Sequence, residues 1–419
     1  MAQKSSAQVH RKRDTCRACG SRNLRTFLSL GSTPLANAFL RSPEEFAGEQ
    51  SYCLDVYFCE TCSLVQLMDV IDPEVLFSNY IYVTGTSDTI AAHNVKYART
   101  LVDLLELGPN DLVIEIASND GSLLKCFQRE GVRTLGVEPA TNIAKTAHAN
   151  GVPTVNEFFN LSTARKLKQS KGPASVVIGN NVLAHVDEPR DFLLGCKELL
   201  APGGRAVFEV PYLRHLFERL EYDTIYHEHL CYYSITALMM LSQSVGLAID
   251  RIDHVPVHGG SIRFYAGAQE ELRNHSQRVL DLAEEEKQAG LTDFSRFESF
   301  AEAVQQSRTS LRELLKRLRQ EDKQIAAYGA PAKGNTLLNY CGINTDLVPY
   351  TVDKNPMKVG LYTPGMHIPV LPVSTLLQRR PDYVLILAWN FADEIMKQQS
   401  EYRALGGQFI VPVPHAKVV

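Results

Sequence analysis

The sequence predicts an α/β protein with two doubly wound parallel-sheet units and a small metal-binding module at its N-terminus. Short buried strands alternate with helices from residue 111 onward, and the same alternation begins again after residue 323. Four cysteines form two Cys-x-x-Cys pairs near the start of the chain. The length of 419 residues is enough for about three domains.

The N-terminal module is identified by Cys16, Cys19, Cys59 and Cys62. Two such pairs can place four thiolates around one tetrahedral Zn²⁺ ion. A redox Cys-x-x-Cys is the alternative, but it needs no second pair. We therefore expect a closed structural zinc site that folds residues 15–88 and performs no chemistry. Residues 1–14 are polar and basic, which predicts a disordered tail and not a secretory signal.

Composition limits the possible functions. The chain has 43 basic and 47 acidic residues, a net charge of −4, which argues against nucleic acid as its main partner. It has no apolar run of the ~18 residues that a membrane span requires. The five other cysteines read as buried free thiols, which is typical of a cytoplasmic protein: Cys53, Cys126, Cys196, Cys231 and Cys341. The sequence does not set the oligomeric state, and a monomer is compatible with it.

The first α/β unit, over residues 89–268, opens with a helix over 90–107. Its predicted strands are Leu112–Ala117, Thr134–Val137, Ser175–Gly179 and Arg205–Val210. The tight turn at 117–121 opens a helix, so its backbone N–H groups can face a ligand. Glu138 ends the second strand, where an acid can accept both ribose hydroxyls. The G-x-G-x-x-G fingerprint of a dinucleotide site does not occur there, which disfavours NAD.

The residues predicted to bind the cofactor are Glu115, Ala117, Ser118, Asn119, Gly121, Glu138, Pro139, Asn180 and Asn181. Together with the Pro202-Gly203-Gly204 turn, this set resembles the class I methyltransferases that use S-adenosylmethionine (SAM). Their E-x-G-x-G-x-G loop is present here with two glycines replaced, by Ala117 and Asn119. The resemblance implies a SAM site on a Rossmann-like fold.

The densest cluster of reactive side chains is Tyr226-His227-Glu228-His229, followed by Leu230 and Cys231. In an extended segment, Tyr226 and Glu228 would share one face, and the two histidines would share the other. Histidine accepts protons near neutral pH, and tyrosine hydroxyls can donate to an oxyanion. Two alternatives stay open, namely a metal ion held by both histidines and a purely structural cluster.

Candidate substrate-binding residues lie further along the chain, at His258, Gly259, Arg263 and Lys333. Arg263 offers a fork for phosphate, or else it is a solvated strand residue. Residues 269–323 predict a helical connector. The second unit, 324–419, has predicted strands at Ile325–Tyr328, Leu347–Val352 and Tyr383–Leu387. Its Gly329–Asn335 loop is a candidate anion nest, and Asp353 lies where an acid would meet a ribose. This unit either holds a nucleotide-linked substrate or only packs.

The order of these motifs, from Cys16 to about Pro412, resembles the sugar C-methyltransferases of deoxysugar biosynthesis. The resemblance implies a zinc module, a SAM domain, a Rossmann-like C-terminal domain and a dTDP-linked 4-keto sugar as substrate. It implies that His229 removes the proton α to the keto group, while Tyr226 and Tyr80 hold the enolate. Glu228 would orient the imidazole or a substrate hydroxyl, and His185 would lie near the methyl donor.

Two other functions remain compatible with the sequence. One is an O- or N-methyltransferase of the same architecture, which would not need to ionise a carbon acid. The other is a non-catalytic protein that keeps the zinc module and the fold. A nucleotide-sugar dehydrogenase is disfavoured by the missing dinucleotide fingerprint.

Overall fold

A computed structural model describes residues 9–78, 88–255 and 260–419 of the chain. Tyr80, His258 and Gly259, which the sequence proposed as site residues, lie outside the described residues. The strands are β1 (His10–Lys12), β2 (Leu24–Thr33), β3 (Tyr52–Cys59), β4 (Val65–Leu67), β5 (Asp69–Ile71), β6 (Leu112–Ile116), β7 (Arg133–Val137), β8 (Thr154–Val155), β9 (Ala174–Asn180), β10 (Leu200–Pro211), β11 (Cys231–Tyr232), β12 (Leu247–Val255), β13 (Ser261–Ala268), β14 (Ile325–Tyr328), β15 (Thr351–Asp353), β16 (Val370–Pro372), β17 (Tyr383–Ile386), β18 (Gln408–Val411) and β19 (Lys417–Val418).

The helices are α1 (Pro73–Phe77), α2 (Asp88–Leu104), α3 (Ser122–Arg129), α4 (Thr141–Ala149), α5 (Leu161–Lys171), α6 (Pro189–Leu199), α7 (Leu213–Glu218), α8 (Ile235–Ser244), α9 (Gln269–Leu272), α10 (Gln277–Gln288), α11 (Phe294–Gln320), α12 (Ala332–Cys341), α13 (Thr375–Arg379), α14 (Ala392–Gln398) and α15 (Ser400–Ala404). Short 3-10 turns lie at Pro43–Gly48, Leu183–His185, Tyr222–Thr224 and Trp389–Phe391. No helix of the described ranges is both long enough and apolar enough to cross a membrane.

The central sheet has seven strands in the order β12-β13-β10-β9-β6-β7-β8. The five strands from β10 to β8 run parallel, whereas β13 is antiparallel to both β10 and β12. This arrangement confirms the predicted class I, Rossmann-like fold. The order reverses between β6 and β9, so the carboxyl ends of these two strands open the crevice in which such sheets bind ligands.

The C-terminal sheet has six strands in the order β16-β15-β14-β17-β18-β19. All are parallel except β19, which confirms a second α/β unit. Of the predicted strand Leu347–Val352, only its end is extended, because β15 begins at Thr351. The connector is mostly the 27-residue helix α11, which Asp293 caps by accepting the N–H of Ser295. Leu311, Leu315 and Leu318 bury the predicted apolar stripe.

The N-terminal module is an antiparallel sheet in the order β11-β4-β3-β2. Its edge strand β11 comes from the segment after the reactive cluster, so the module and the methyltransferase domain share a sheet. The prediction of a disordered tail is wrong for His10–Lys12, which pairs with β5. Arg11 and Arg13 in this segment also form ion pairs with Asp187, and these contacts offset the entropy cost of ordering it.

The four predicted zinc ligands come together. Their sulfur atoms all lie within 4.8 Å of one another, and the Sγ atoms of Cys16 and Cys62 are 3.5 Å apart. A tetrahedral Zn²⁺ with Zn–S near 2.3 Å sets sulfur atoms about 3.8 Å apart, so the cluster fits this ion. A hydrogen bond to Cys16 raises the pKa of Cys59 to about 11. Ionising a second thiol in this cluster is therefore unfavourable, and a bound divalent cation would offset that cost. Cys53, predicted to be buried, is exposed.

Replacing Cys62 with serine should remove the zinc and destabilise the chain, because metal binding and folding of this module are coupled. We expect a loss of about 4 kcal/mol or more, which lowers the Tm by roughly 8 °C or more. Zinc content and thermal unfolding measure both effects. Cys53→Ser is the matched control and should keep one zinc ion per chain. Full zinc occupancy in the Cys62 variant would contradict the four-sulfur site.

Candidate active site

The loop after β6 keeps the backbone shape of a glycine-rich loop without its glycines. Ala117 (φ 54°), Asn119 (φ 50°) and Gly121 (φ 78°) all adopt the left-handed conformation that favours glycine. Asparagine tolerates this conformation, whereas alanine is strained in it by roughly 1–3 kcal/mol. The two replaced glycines therefore leave the left-handed backbone of the loop in place, at a cost in strain at Ala117.

Glu138 at the end of β7 holds this loop in place. Its Oε2 accepts the N–H of Asn119 at 2.9 Å, and its Oε1 accepts the N–H of Ala140 at 2.8 Å. Each carboxylate oxygen keeps a second lone pair, which a ribose hydroxyl can use. Burial raises the pKa of Glu138, so partners that donate hydrogen bonds to its charged form are favoured.

Several polar atoms around the crevice are buried and have no hydrogen-bond partner within the described residues. They include Glu115 Oε2, Ser118 Oγ and Asn181 Oδ1. Burial also raises the pKa of Glu115 well above its ordinary value. Orphaned polar atoms carry a free-energy cost unless a ligand or water satisfies them. A ligand with amine and hydroxyl donors, such as SAM, fits this set.

The predicted cofactor residues lie together, because the strands that carry them are neighbours in the sheet. Glu115, Ala117, Ser118, Asn119 and Gly121 follow β6; Glu138 and Pro139 follow β7; and Asn180 and Asn181 lie at the end of β9.

The reactive cluster is a turn and not an extended segment. The N–H of His229 donates to the carbonyl of Tyr226 at 2.8 Å, and their rings are in contact, with centroids 4.1 Å apart and planes tilted by 35°. The predicted alternation of faces is therefore wrong, since Tyr226 and His229 share one side. His227 points away and binds the carbonyl of Cys53 through Nε2 at 3.3 Å. The two histidines thus do not converge on one ion.

The imidazole of His229 is oriented by a backbone carbonyl. Its Nδ1 lies 2.8 Å from the carbonyl oxygen of Thr224, and this oxygen can only accept. The neutral ring therefore carries its proton on Nδ1 and its lone pair on Nε2, which is the tautomer that a general base needs. The expectation that Glu228 orients the imidazole is wrong, because Thr224 does so.

His185 lies next to this ring, with centroids 4.8 Å apart and nearly perpendicular planes. It ends the 3-10 turn that follows β9, and the adjacent carbonyl of Ala184 accepts the N–H of Leu230 at 2.7 Å. Burial lowers the pKa of His185 to about 4, so this ring is neutral at pH 7. Tyr226, His229 and His185 thus form one group above the carboxyl end of β9.

Glu228 belongs to a second, neighbouring group. Its Oε1 accepts a hydrogen bond from Nδ2 of Asn37 at 2.7 Å. Burial raises the pKa of Glu228 to about 7, while Asn37 and Lys358 oppose the rise. Lys358 donates to the carbonyl of Ala330 at 2.7 Å. The side chain of Glu228 therefore faces the C-terminal unit.

Arg263 does not offer its fork to a substrate. Its Nε donates to Glu209 at 2.8 Å, and its guanidinium stacks 3.4 Å from the ring centre of Tyr97. The prediction of a phosphate ligand is wrong for Arg263, and so is the alternative of a solvated arginine, because Glu209 lies opposite it in the β10–β13 register.

The C-terminal unit repeats the arrangement seen at Glu138. Asp353 ends β15, its Oδ2 accepts the N–H of Ala330 from the loop after β14 at 2.6 Å, and its Oδ1 accepts the N–H of Asn355 at 2.7 Å. The predicted Gly329–Asn335 loop is a loop only up to Pro331, because α12 begins at Ala332. Lys333, in the first turn of α12, lies 3.8 Å from Asp223 and 4.0 Å from the ring centre of Trp389. Four residues near the site carry no signal in the sequence: Thr224, Asp223, Asn37 and Lys358. A backbone carbonyl has no sequence signature, and long-range pairs have none either.

Three domain models match the chain in sequence order. They are described as "Putative zinc binding domain" over residues 16–77, "Methyltransferase domain" over 91–252 and "C-methyltransferase C-terminal domain" over 256–414. C-methyltransferase NovU from Streptomyces niveus is 36% identical over 406 residues, which span 97% of each chain. The chain belongs to the C-methyltransferase family. As a SAM-dependent C-methyltransferase with a zinc module, it has SAM and Zn²⁺ as cofactors.

Other similarities to the methyltransferase are partial. Ubiquinone biosynthesis O-methyltransferase from Maricaulis maris is 29% identical over 94 residues, 22% of this chain and 37% of that protein. The SAM-bound magnesium protoporphyrin IX methyltransferase of Synechocystis PCC 6803 covers 43% of this chain and 81% of its own at 15% identity, with a TM-score of 0.32.

A methyl group at Gly136 should displace the loop after β6, which contains Ser118. A Cβ built there would lie 2.4 Å from Ser118 Oγ and 3.0 Å from Thr154 Oγ1. We expect Gly136→Ala to weaken binding of S-adenosylhomocysteine (SAH) by about tenfold in calorimetry, a change of about 1.4 kcal/mol. Gly48→Ala meets no atom within 4 Å and is the control. Equal affinities for both variants would contradict this role of the loop.

Glu228 should make stability depend on pH. Its folded pKa of about 7 exceeds the ordinary 4.5, so its contribution is full below pH 4.5 and is lost as pH rises to 7. Glu228→Gln cannot ionise, and we expect it to gain up to about 3 kcal/mol over wild type across this range. Thermal unfolding between pH 4.5 and 8 measures the difference. The exposed control Glu401→Gln should show no such difference from wild type. If the stability of Glu228→Gln ran parallel to that of wild type over the whole pH range, the claim would be refuted.

Proposed function

We propose that the methyltransferase acts on a dTDP-linked 4-keto deoxysugar and methylates its C3 after His229 has removed the proton from that carbon. The observation that carries the proposal is the hydrogen bond from His229 Nδ1 to the Thr224 carbonyl. It supports a general base at the carboxyl end of β9, beside the crevice in which the cofactor residues lie.

A carbon acceptor explains why such a base is needed. A proton α to a ketone is weakly acidic, and a positioned base typically contributes about 10²–10⁴-fold to its removal. Oxygen and nitrogen acceptors already carry a lone pair, so they require less of the protein. The neutral His185 beside the base supports this proposal, since a second positive charge there would disfavour protonation of His229.

The enolate places negative charge on the keto oxygen. Tyr226, whose ring contacts that of the base, is proposed as one hydroxyl donor to that oxygen. Tyr80, which lies outside the described residues, is proposed as the other. SAM, held by the residues that follow β6 and β7, would supply an electrophilic methyl group for the enolate carbon and would leave as SAH. The protein then has to position C3 and exclude water.

The nucleotide of the substrate is proposed to lie on the C-terminal unit. The support is the likeness of Asp353 to Glu138, because each carboxylate ends the second strand of its unit and accepts two backbone N–H groups. Lys333 at the start of α12, and Lys358, which donates to the carbonyl of Ala330 in the loop before it, can offset phosphate charge. Glu228, which faces this loop, is proposed to bind a sugar hydroxyl.

His229→Asn should abolish proton removal and leave cofactor binding intact. The protein is incubated with SAH and a dTDP-4-keto-6-deoxy sugar in D₂O, and the sugar is then weighed by mass spectrometry. Wild type should introduce one deuterium, whereas the variant should exchange at least about 100-fold more slowly. Calorimetry should give the same SAH affinity for both proteins.

The exposed His415→Asn is the matched control and should exchange at the wild-type rate. Rapid exchange by the His229 variant would remove this residue from the mechanism. Wild type that binds SAH but exchanges no deuterium would refute the proposed carbon acid and favour an oxygen or nitrogen acceptor.

A further inference from the structure

The 3-10 turn Tyr222–Thr224 is inserted between the methyltransferase domain and the C-terminal unit. Tyr222 is fully buried and packs on Tyr340 of α12 with ring centroids 5.6 Å apart. Asp223 has 0% exposure. Its Oδ2 accepts the indole N–H of Trp389 at 2.6 Å, and Lys333 lies 3.8 Å away. A carboxylate so deeply buried is costly unless it is paired.

Both partners of Asp223 come from the C-terminal unit, but from different segments. Lys333 lies in the first turn of α12, after β14, and Trp389 begins the 3-10 turn after β17. Strands β14 and β17 are parallel neighbours, so both partners lie at the same carboxyl edge of the sheet and hold the carboxylate at two points. The other oxygen, Oδ1, has no partner among the described residues. The carboxylate is therefore anchored through Oδ2, on the side of the C-terminal unit.

The residue after Asp223 supplies the carbonyl that orients His229. Thr224 accepts from Nδ1 of His229 at 2.8 Å, and the N–H of Ile225 closes the turn on the carbonyl of Tyr222 at 3.1 Å. A rotation of the turn at Asp223 would therefore move the Thr224 carbonyl. Because a base displaced by about 1 Å can lose about 10²-fold in rate, this anchor bears on catalysis.

We propose that Asp223 is a positioning residue that fixes the general base from the C-terminal unit, through the Thr224 carbonyl. The inference rests on the proposed role of His229. It also gives the start of α12 a task in the reaction, since Lys333 in its first turn contacts Asp223. The side chain of Asp223 contacts Trp389 and Lys333, so its effect on His229 passes through the backbone of Thr224.

Asp223→Asn tests the proposal, because asparagine keeps the size of the side chain and removes its charge. The full chain is assayed for deuterium exchange into the keto sugar in the presence of SAH, over a range of pH. We expect the plateau rate to fall about 10- to 100-fold, while the affinity for SAH is unchanged. We also expect the ascending limb to move to lower pH, because the imidazolium loses the carbonyl that stabilises it.

Trp389 gives an independent readout, because it is the only tryptophan of the chain. Its emission should change in Asp223→Asn, since the acceptor of the indole N–H loses its charge. Unchanged emission would mean that the contact does not form in solution, and it would overturn the proposal. Trp389→Phe removes the donor without altering Asp223, and we expect a several-fold loss of exchange. It serves as the test if the asparagine variant does not fold.

Glu286→Gln is the matched control for a buried carboxylate. Glu286 accepts the N–H groups of Ile235 and Thr236 at 2.6 and 2.8 Å, at the start of α8 and not at the 222–224 turn. The Glu286→Gln substitution should lower the Tm of the protein and leave the pH profile of deuterium exchange unchanged.

His229→Asn in the same assay separates the two proposals. If it exchanges normally, the proposed function fails. If it is inactive while Asp223→Asn matches wild type in rate and pH profile, the role of Asp223 alone is overturned.

Discussion

The structure depends on satisfying the backbone of one buried segment, residues 222–233, which all three parts of the molecule share. Buried N–H and C=O groups must be paired, so the partners of this segment fix its path. Thr224 pairs with His229, Leu230 pairs with both Ala184 and Leu67, and Cys231 joins the zinc-module sheet opposite Gln66. The reactive turn is therefore held from several directions at once, which limits the positions that His229 can adopt.

This constraint gives the zinc module a place in the account although it performs no chemistry. Arg17 lies between two of the cysteines, and its Nε donates to Asp187 at 3.0 Å. Asp187 follows closely after His185, so an ordered cysteine cluster also orders the turn beside the base. On the other side, β4 pairs with β11, which begins two residues after His229. A metal that folds the module therefore also stabilises the two sides of the proposed catalytic group.

Much of this architecture is predictable from sequence, because strand patterns and cysteine spacing are local. The two sheets, the zinc cluster, the loop at Glu115–Gly121 and the acid at Glu138 follow from such signals. Long-range pairing is not local, and predictions failed there. The sequence around Arg263 does not reveal its partner, because Glu209 lies on another strand. The pattern at 226–229 suggests an extended segment, since no local signal indicates the Tyr226–His229 turn. The first strand, His10–Lys12, has no local signal either, because β5 provides its pairing.

The most direct test of the central claim is a crystal structure of the complex with SAH and the dTDP-linked 4-keto sugar. The account predicts that Nε2 of His229 lies about 3–3.5 Å from C3 of the sugar, with the Thr224 carbonyl still bound to Nδ1. It also predicts the nucleotide beside Asp353 and the sulfur of SAH near C3. A sugar whose C3 faces away from His229, or a His229 ring turned so that Nδ1 points at the sugar, would contradict it.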